Sequence, residues 1–296
     1  MLSSGIRTVS RYGTRSIASL STLENVKVVD LGDGVTHVQL NRPKRMNAMT
    51  FGLWDDLKTS FDHLNTCSST RAVVLSGNGP AFGVGLDLKE AFGQLVEIGA
   101  NKDKDVSRKA FDLLKAIRKA QDSFIAVTVC RKPVIAAIHG FCIGGTISLA
   151  GMADIRYAEK STVFNIKEVD VGLAADVGIL NVISKATGND SWCRELAFTA
   201  RDFNGVEGLE RGFVSRVFDS KQDCLNGAID LARFIASKSP VAVQGSKIAM
   251  NYARDHGVHE TFDFLQIWNS VHLQSDDMPK IAEAMMKKQK PKFSDL

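Results

Sequence analysis

Between residues 26 and 40 two runs rich in β-branched residues, VKVVDLG and VTHVQLN, meet at Asp33-Gly34, a pair suited to positive φ, which predicts a hairpin. From Thr50 to Leu64 the apolar residues Phe51, Leu53, Trp54, Leu57, Phe61 and Leu64 recur at helical spacing, and RAVVLSG (71 to 77) then reads as a short buried strand. Gly77, Gly79, Pro80, Gly83 and Gly85 make the next stretch a loop. A long helical pattern from about Val106 to Cys130 leads into the strand PVIAAIHG (133 to 140). CIGGTISLAGMADIRYA follows, with a Gly144-Gly145 turn, a helix start and a β-rich run from Ile155 to Ala158. The order strand, turn, helix, strand predicts an α/β layered fold. From Cys224 onward the pattern is helical alone, at 224–237, 241–256, 259–274 and 278–288. The expected division is therefore a core over residues 23–223 and a helical segment over 224–296.

Composition changes this picture at the N-terminus. Residues 1–22 contain no acid, are rich in Ser, and carry Arg7, Arg11 and Arg15 at four-residue spacing, as in a mitochondrial presequence. Removing those three arginines takes the formal net charge from +4 to +1, too little to suggest nucleic acid as the main ligand. No apolar run is long enough for a membrane span. The five cysteines are scattered and show no CxxC pair, which speaks against a disulfide framework and a zinc site. At the other end, Ser294-Asp295-Leu296 departs from the peroxisomal S-K-L pattern by a reversed charge, so a mitochondrial matrix location is expected before a peroxisomal one.

The stretch KEVDVGLAAD (167 to 176) poses the chemical question, because Glu168, Asp170 and Asp176 stand among Val, Leu, Gly and Ala. A carboxylate in apolar surroundings costs free energy unless it is paired or protonated. Two glycine turns add another chemistry. In AFGVGLD the backbone at Val84 lies between two glycines, and in CIGGT Gly145 opens a helix whose first N–H groups lack intrahelical partners. Converging donors of that kind suit an oxyanion.

RPKRMNAM, AFGVGLDL, IHGFCIGGTISLAGMADIRYA and FNIKEVDVGLAADVG follow one another at spacings that resemble the crotonase (enoyl-CoA hydratase/isomerase) superfamily, from about residue 26 to the C-terminus. The last motif, with SKSPVAVQGSKIAMNYARDH, most resembles the branch that isomerises 3,5-dienoyl-CoA to 2,4-dienoyl-CoA. The resemblance implies a spiral of ββα units, a C-terminal helical part that builds trimers or hexamers, and an acyl-CoA thioester as substrate, with no metal or redox cofactor. It implies that the N–H groups of Val84 and Gly145 form the oxyanion hole, and that Glu168 and Asp176 form the proton-transfer pair; Glu168 is expected at C2 and Asp176 at C6, a direction the sequence leaves open. Two fixed carboxylates suit that task, since one would have to swing far between the two carbons.

The chain departs from the family pattern at three positions. Ser148 stands where the dienoyl branch has a third acid and hydratases a Glu, so it is expected to reshape the pocket. Val84 replaces a smaller residue, and Thr146 a third glycine. Asp170 is expected to be structural, paired with a backbone N–H or an Arg, and Asp87 to be a cap. His139 is expected in a turn or the core, and Met285-Met286 in helix packing. Arg42, Arg45, Lys89 and Lys247 are candidates for CoA phosphates, with Arg45 and Lys247 favoured by the resemblance. The rival readings are a 3-enoyl-CoA to 2-enoyl-CoA isomerase using Glu168 alone, an enoyl-CoA hydratase, and a non-catalytic protein binding acyl-CoA, protein or RNA.

Overall fold

The computed structural model describes residues 17–296; the arginines of the expected presequence lie outside the described residues. Within the part of that segment that is described, Leu20 is buried and Ile17 packs against the core.

The predicted hairpin forms β1 (Val26–Asp30) and β2 (Val35–Leu40), with Asp33 and Gly34 at φ 52° and 76° in the turn. Helix α1 (Phe51–Thr66) starts at Thr50, whose hydroxyl accepts from the Leu53 N–H, and buries its predicted apolar stripe apart from the half-buried Phe51. Next come β3 (Ala72–Gly77), α2 (Ala91–Ala100), α3 (Val106–Val129), β4 (Val134–Ile138), β5 (Phe141–Ile143), α4 (Gly145–Met152), β6 (Ile155–Glu159) and β7 (Val163–Asn165). The chain continues through α5 (Ile179–Thr187), α6 (Asp190–Thr199), β8 (Phe203–Asn204), α7 (Gly205–Glu210) and β9 (Arg216–Phe218), and ends in α8 (Lys221–Ala236), α9 (Pro240–Ala253), α10 (Val258–His272) and α11 (Asp277–Met286).

A six-stranded sheet in the order β1-β2-β3-β4-β6-β9 is parallel except at its β1 edge. Beside it, β5, β7 and β8 form a small second sheet. Strands β3 and β4 are buried along their whole length, because both faces of the sheet are covered. Val73, Leu75, Val134, Ala136 and Ile138 face a core shared with α1 and α3, whereas Ala72, Val74, Ile135 and Ala137 face α8. Period-two alternation thus feeds two cores from one continuous apolar run.

Two readings change. Helix α8 buries Cys224, Ala228, Ala232 and Ala236 under the sheet, so the first helix of the C-terminal segment is a layer of the body. Met285 and Met286 are 74% and 80% exposed; they do not pack within the chain. Helix α2, absent from the sequence pattern, carries Gly93 and Gly99 within its length and buries little beyond Ala91, so core periodicity could not reveal it.

Candidate active site

The two glycine turns meet. A Cβ at Gly85 would lie 3.0 Å from the Ile143 carbonyl oxygen and 3.7 Å from the Gly145 nitrogen, so any side chain there would press the two turns apart. Gly85 and Gly144 also sit at φ 83° and 56°, conformations that favour glycine. Thr146, the departure at the third glycine position, stitches the turns together. Its hydroxyl lies 2.7 Å from the carbonyls of both Gly83 and Ile143 and accepts from the Ile143 N–H at 2.9 Å. Among the described residues, neither the Val84 N–H nor the Gly145 N–H has a hydrogen-bond partner. Gly145 opens α4, where the helix dipole adds to the local positive potential.

Val84 and Gly145 both belong to the wall of a cleft of about 650 Å³, which also includes Glu168 and Asp176. A Cβ at Gly144 would be 3.6 Å from Oε1 of Glu168, so that carboxylate sits against the donor turn. Glu168 begins a short 3₁₀ turn, Glu168–Val171, that ends at Gly172 in the left-handed region. Burial pushes its pKa up, and the neighbouring Asp176 charge adds to the rise. Asp176 is also pushed up by burial of its charge, although its side chain remains open to the cleft. Its own carbonyl is held by Gln121 of α3, whose Nε2 donates at 2.8 Å. Apolar walls come from Trp54, Phe92, Leu95, Ile117, Phe124 and Leu173. Phe92 and Leu95 show where the apolar side of α2 goes: it faces the cleft and not the core.

The rim carries Lys44, Arg45, Lys89 and Lys167, all exposed. Arg42 is held elsewhere, bonded to the Ala48 carbonyl and 3.2 Å from Asp87. Asp87 accepts from the N–H groups of Lys89 and Glu90, the expected cap, and these bonds with Arg42 hold its carboxyl low. Asp170 pairs with Lys167 on the surface, so the partner is neither a backbone N–H nor an Arg. His139 is buried with Nε2 3.0 Å from the Gly79 carbonyl, as expected of a turn residue. A larger cavity of about 1010 Å³ lies under the C-terminal residues, and none of the four predicted site residues lines it.

Two predicted site residues stand outside the cleft. Lys247 is buried, its ammonium 2.7 Å from Asp154 and bonded to the Lys132 carbonyl, so it is not available to CoA in the chain. Ser148 is fully buried in α4 and does not line the cleft; its Oγ accepts from the Ile179 N–H at 3.3 Å. That N–H is an orphan donor at the start of α5, which has no N-cap side chain. Ser148 therefore fixes the chain three residues after Asp176. Ser148→Ala is expected to cost about 1 kcal/mol by leaving that donor unpaired. Calorimetry should show a melting temperature lower by ~2–4 °C. An unchanged melting temperature would remove this role.

Residues 30–296 match the family model described as Enoyl-CoA hydratase/isomerase. The chain belongs to the enoyl-CoA hydratase/isomerase family. A mouse member named Delta(3,5)-Delta(2,4)-dienoyl-CoA isomerase, mitochondrial, is 44% identical over 98% of this chain and 88% of its own length. An Arabidopsis thaliana member of the same name, but peroxisomal, is 36% identical over 93% of this chain and 100% of its own length. Among solved structures of the family, an enoyl-CoA hydratase from Bacillus anthracis superposes with a TM-score of 0.82 at 25% identity, covering 92% of this chain and 99% of that one. The fold described above is thus that of enoyl-CoA hydratase/isomerase family members, in agreement with the motif spacing.

Proposed function

We propose that the protein isomerises 3,5-dienoyl-CoA to 2,4-dienoyl-CoA in the oxidation of unsaturated fatty acids. The observation that carries this reading is the pair of carboxylates, Glu168 and Asp176, in one cleft with two unpartnered N–H groups. The names of the mouse and Arabidopsis relatives support the substrate class.

The thioester oxygen accepts from the Val84 and Gly145 N–H groups, which lowers the cost of negative charge developing on it. Glu168, ionised, takes a proton from C2. The electron pair moves through the diene, forming C2=C3 and C4=C5, and C6 takes a proton from neutral Asp176. Burial raises both pKa values, and the Asp176 charge adds to the rise at Glu168, so two simultaneous charges in the cleft are disfavoured and the pair is suited to sharing one proton. No metal or redox step enters this sequence, since the charge is met by backbone dipoles. Arg45, with Lys44, Lys89 and Lys167, suits the phosphates of CoA.

The exposed apolar side chains of α10 and α11, Phe262, Ile267, Val271, Met285 and Met286, support assembly into a homotrimer or homohexamer through the C-terminal helices. The Arg-rich N-terminus and the name of the mouse relative support a mitochondrial location.

The test is turnover of a 3,5-dienoyl-CoA, followed by absorbance of the conjugated product, beside 3-enoyl-CoA and 2-enoyl-CoA. Conversion of the diene is expected, with the acidic limb of kcat/KM above the ordinary carboxylate range because Glu168 must be ionised. Turnover of 3-enoyl-CoA or 2-enoyl-CoA without the diene would replace the reading by a simple isomerase or a hydratase.

A further inference from the structure

Donors that stabilise an oxyanion act best when they are aimed before the charge develops. Gly145 is fixed as the first residue of α4, whereas Val84 follows Gly83 in a loop and has no helix to aim its N–H. The peptide that carries this donor joins the Gly83 carbonyl to the Val84 N–H. It is planar and trans, so the two groups point in opposite directions. Fixing the carbonyl therefore fixes the donor.

The Gly83 carbonyl is held twice. It accepts from the Ile143 N–H at 3.1 Å and lies 2.7 Å from the Thr146 hydroxyl. The Gly83 N–H in turn donates to the Phe141 carbonyl at 2.9 Å, so β5 grips this residue at both its polar groups. Thr146 is fully buried in the first turn of α4, and its methyl group fills the space that a side chain at position 83 would need: a Cβ at Gly83 would fall 2.3 Å from Cγ2. The hydroxyl accepts from the Ile143 N–H at 2.9 Å and shares its one proton between the carbonyls of Gly83 and Ile143. Thr146 thus backs the Gly83–Val84 peptide, and Val84 lines the cleft. The family pattern has glycine where Thr146 stands, so this backing is a property of the present chain.

We propose, on the isomerase reading above, that Thr146 is a positioning residue of the oxyanion hole, whose hydroxyl orients and polarises the Gly83–Val84 peptide. A hydrogen bond to the carbonyl draws electron density from the N–H of the same peptide, so the Val84 N–H becomes a stronger donor as well as an aimed one. Thr146 itself does not line the cleft, and no proton passes through it. Removing an oxyanion donor outright costs about 10²–10³-fold in kcat, so removing only its backing, with the N–H still present, is expected to cost about tenfold.

The experiment uses the full-length protein with Thr146→Ala and Thr146→Ser, two variants that differ from each other only in the hydroxyl. Steady-state turnover of a 3,5-dienoyl-CoA is measured beside the absorbance of bound 2,4-dienoyl-CoA, whose conjugated thioester shifts to the red when its carbonyl accepts hydrogen bonds. Thr146→Ala should lower kcat and kcat/KM together by about tenfold with KM unchanged, and should lose part of the red shift that the wild type gives. Thr146→Ser should keep both close to wild type. A merely structural role would lower the melting temperature of Thr146→Ala and leave the red shift and kcat of the folded enzyme as in the wild type, which overturns the proposal. An equal loss in Thr146→Ala and Thr146→Ser also overturns it, since the methyl group would then be responsible. If Thr146→Ala does not fold, Thr146→Gly, which also lacks the hydroxyl and matches the family pattern, decides the matter on the same two readouts. A wild type that binds 2,4-dienoyl-CoA with no red shift defeats the oxyanion-hole reading and the backing with it, whereas a wild-type shift left intact by Thr146→Ala defeats the backing alone.

Discussion

Glu168→Gln is expected to lower turnover of a 3,5-dienoyl-CoA by about 10³-fold, within the range attributed to a positioned general base. The amide is close in shape to the acid, so the apolar wall stays filled and only the proton acceptor is lost. Asp176→Asn should reduce diene turnover on a similar scale, because C6 then has no donor within the cleft. The two variants separate on a second substrate. A 3-enoyl thioester needs its proton delivered nearer the carbonyl, so any activity the wild type shows on it should survive Asp176→Asn and be lost in Glu168→Gln. If Asp176→Asn retains most diene turnover, the two-carboxylate relay is wrong and Glu168 works alone.

The same substitution carries a stability signature with a definite sign. Burial raises the Glu168 pKa in the folded state above its unfolded value. The folded state therefore binds the proton more tightly, and the stabilisation this gives is complete below the ordinary carboxylate pKa and lost as pH rises through the raised value. At pH 7 to 8 the wild type holds a charge that folding disfavours. Glu168→Gln should accordingly melt higher than the wild type there, with the advantage shrinking as the pH is lowered. A variant that melts lower across the whole range would show that the carboxylate is stabilised by a partner, contrary to its unpaired Oε2. A dead enzyme that is more stable than the live one would mark Glu168 as a residue kept for chemistry.

Much of this architecture is legible in the chain because its elements bury their own pattern. The stripe of α1 and the alternation of β3 and β4 each declare a face, and the core accepts it. The glycine turns are legible for a related reason, since Gly85 and Gly144 occupy conformations that other residues avoid. Helix α2 fails the same test: its apolar residues Phe92 and Leu95 line a cleft, so their spacing answers to a ligand and not to a core. Ser148 and Lys247 fail for another reason. Their partners, the Ile179 N–H and the Asp154 carboxylate, lie 31 and 93 positions away in sequence, and nothing in the local pattern announces them. Thr146 shows a gain from a departure, because a hydroxyl in place of a glycine supplies bonds that tie the donor turns together.

Lys247 gives the second large effect, on stability. Its ammonium meets Asp154 Oδ2 at 2.7 Å and the Lys132 and Val127 carbonyls at 3.0 and 3.5 Å, three acceptors for three protons. The side chain is only 5% exposed, whereas that of Asp154 is 25% exposed, so the pair is protected on one side and partly screened on the other. Removing one member of a fully buried pair costs about 3–5 kcal/mol; partial exposure of the partner lowers the expectation for Lys247→Ala to about 2–3 kcal/mol. The loss falls where α9 grips the end of α3 and the start of β4. Asp154 also accepts from the Val134 N–H at 2.8 Å, so Asp154→Asn retains that acceptor while removing the stranded charge. The double variant Lys247→Met with Asp154→Asn should therefore recover part of the stability lost in Lys247→Ala. KM for a CoA thioester should remain at the wild-type value wherever the variants are folded, because the ammonium is spent inside the chain. A several-fold rise in KM with an unchanged melting temperature would return Lys247 to the CoA site and remove it from the scaffold. Arg45→Ala supplies the contrast: exposed on the rim, it has little stability to lose.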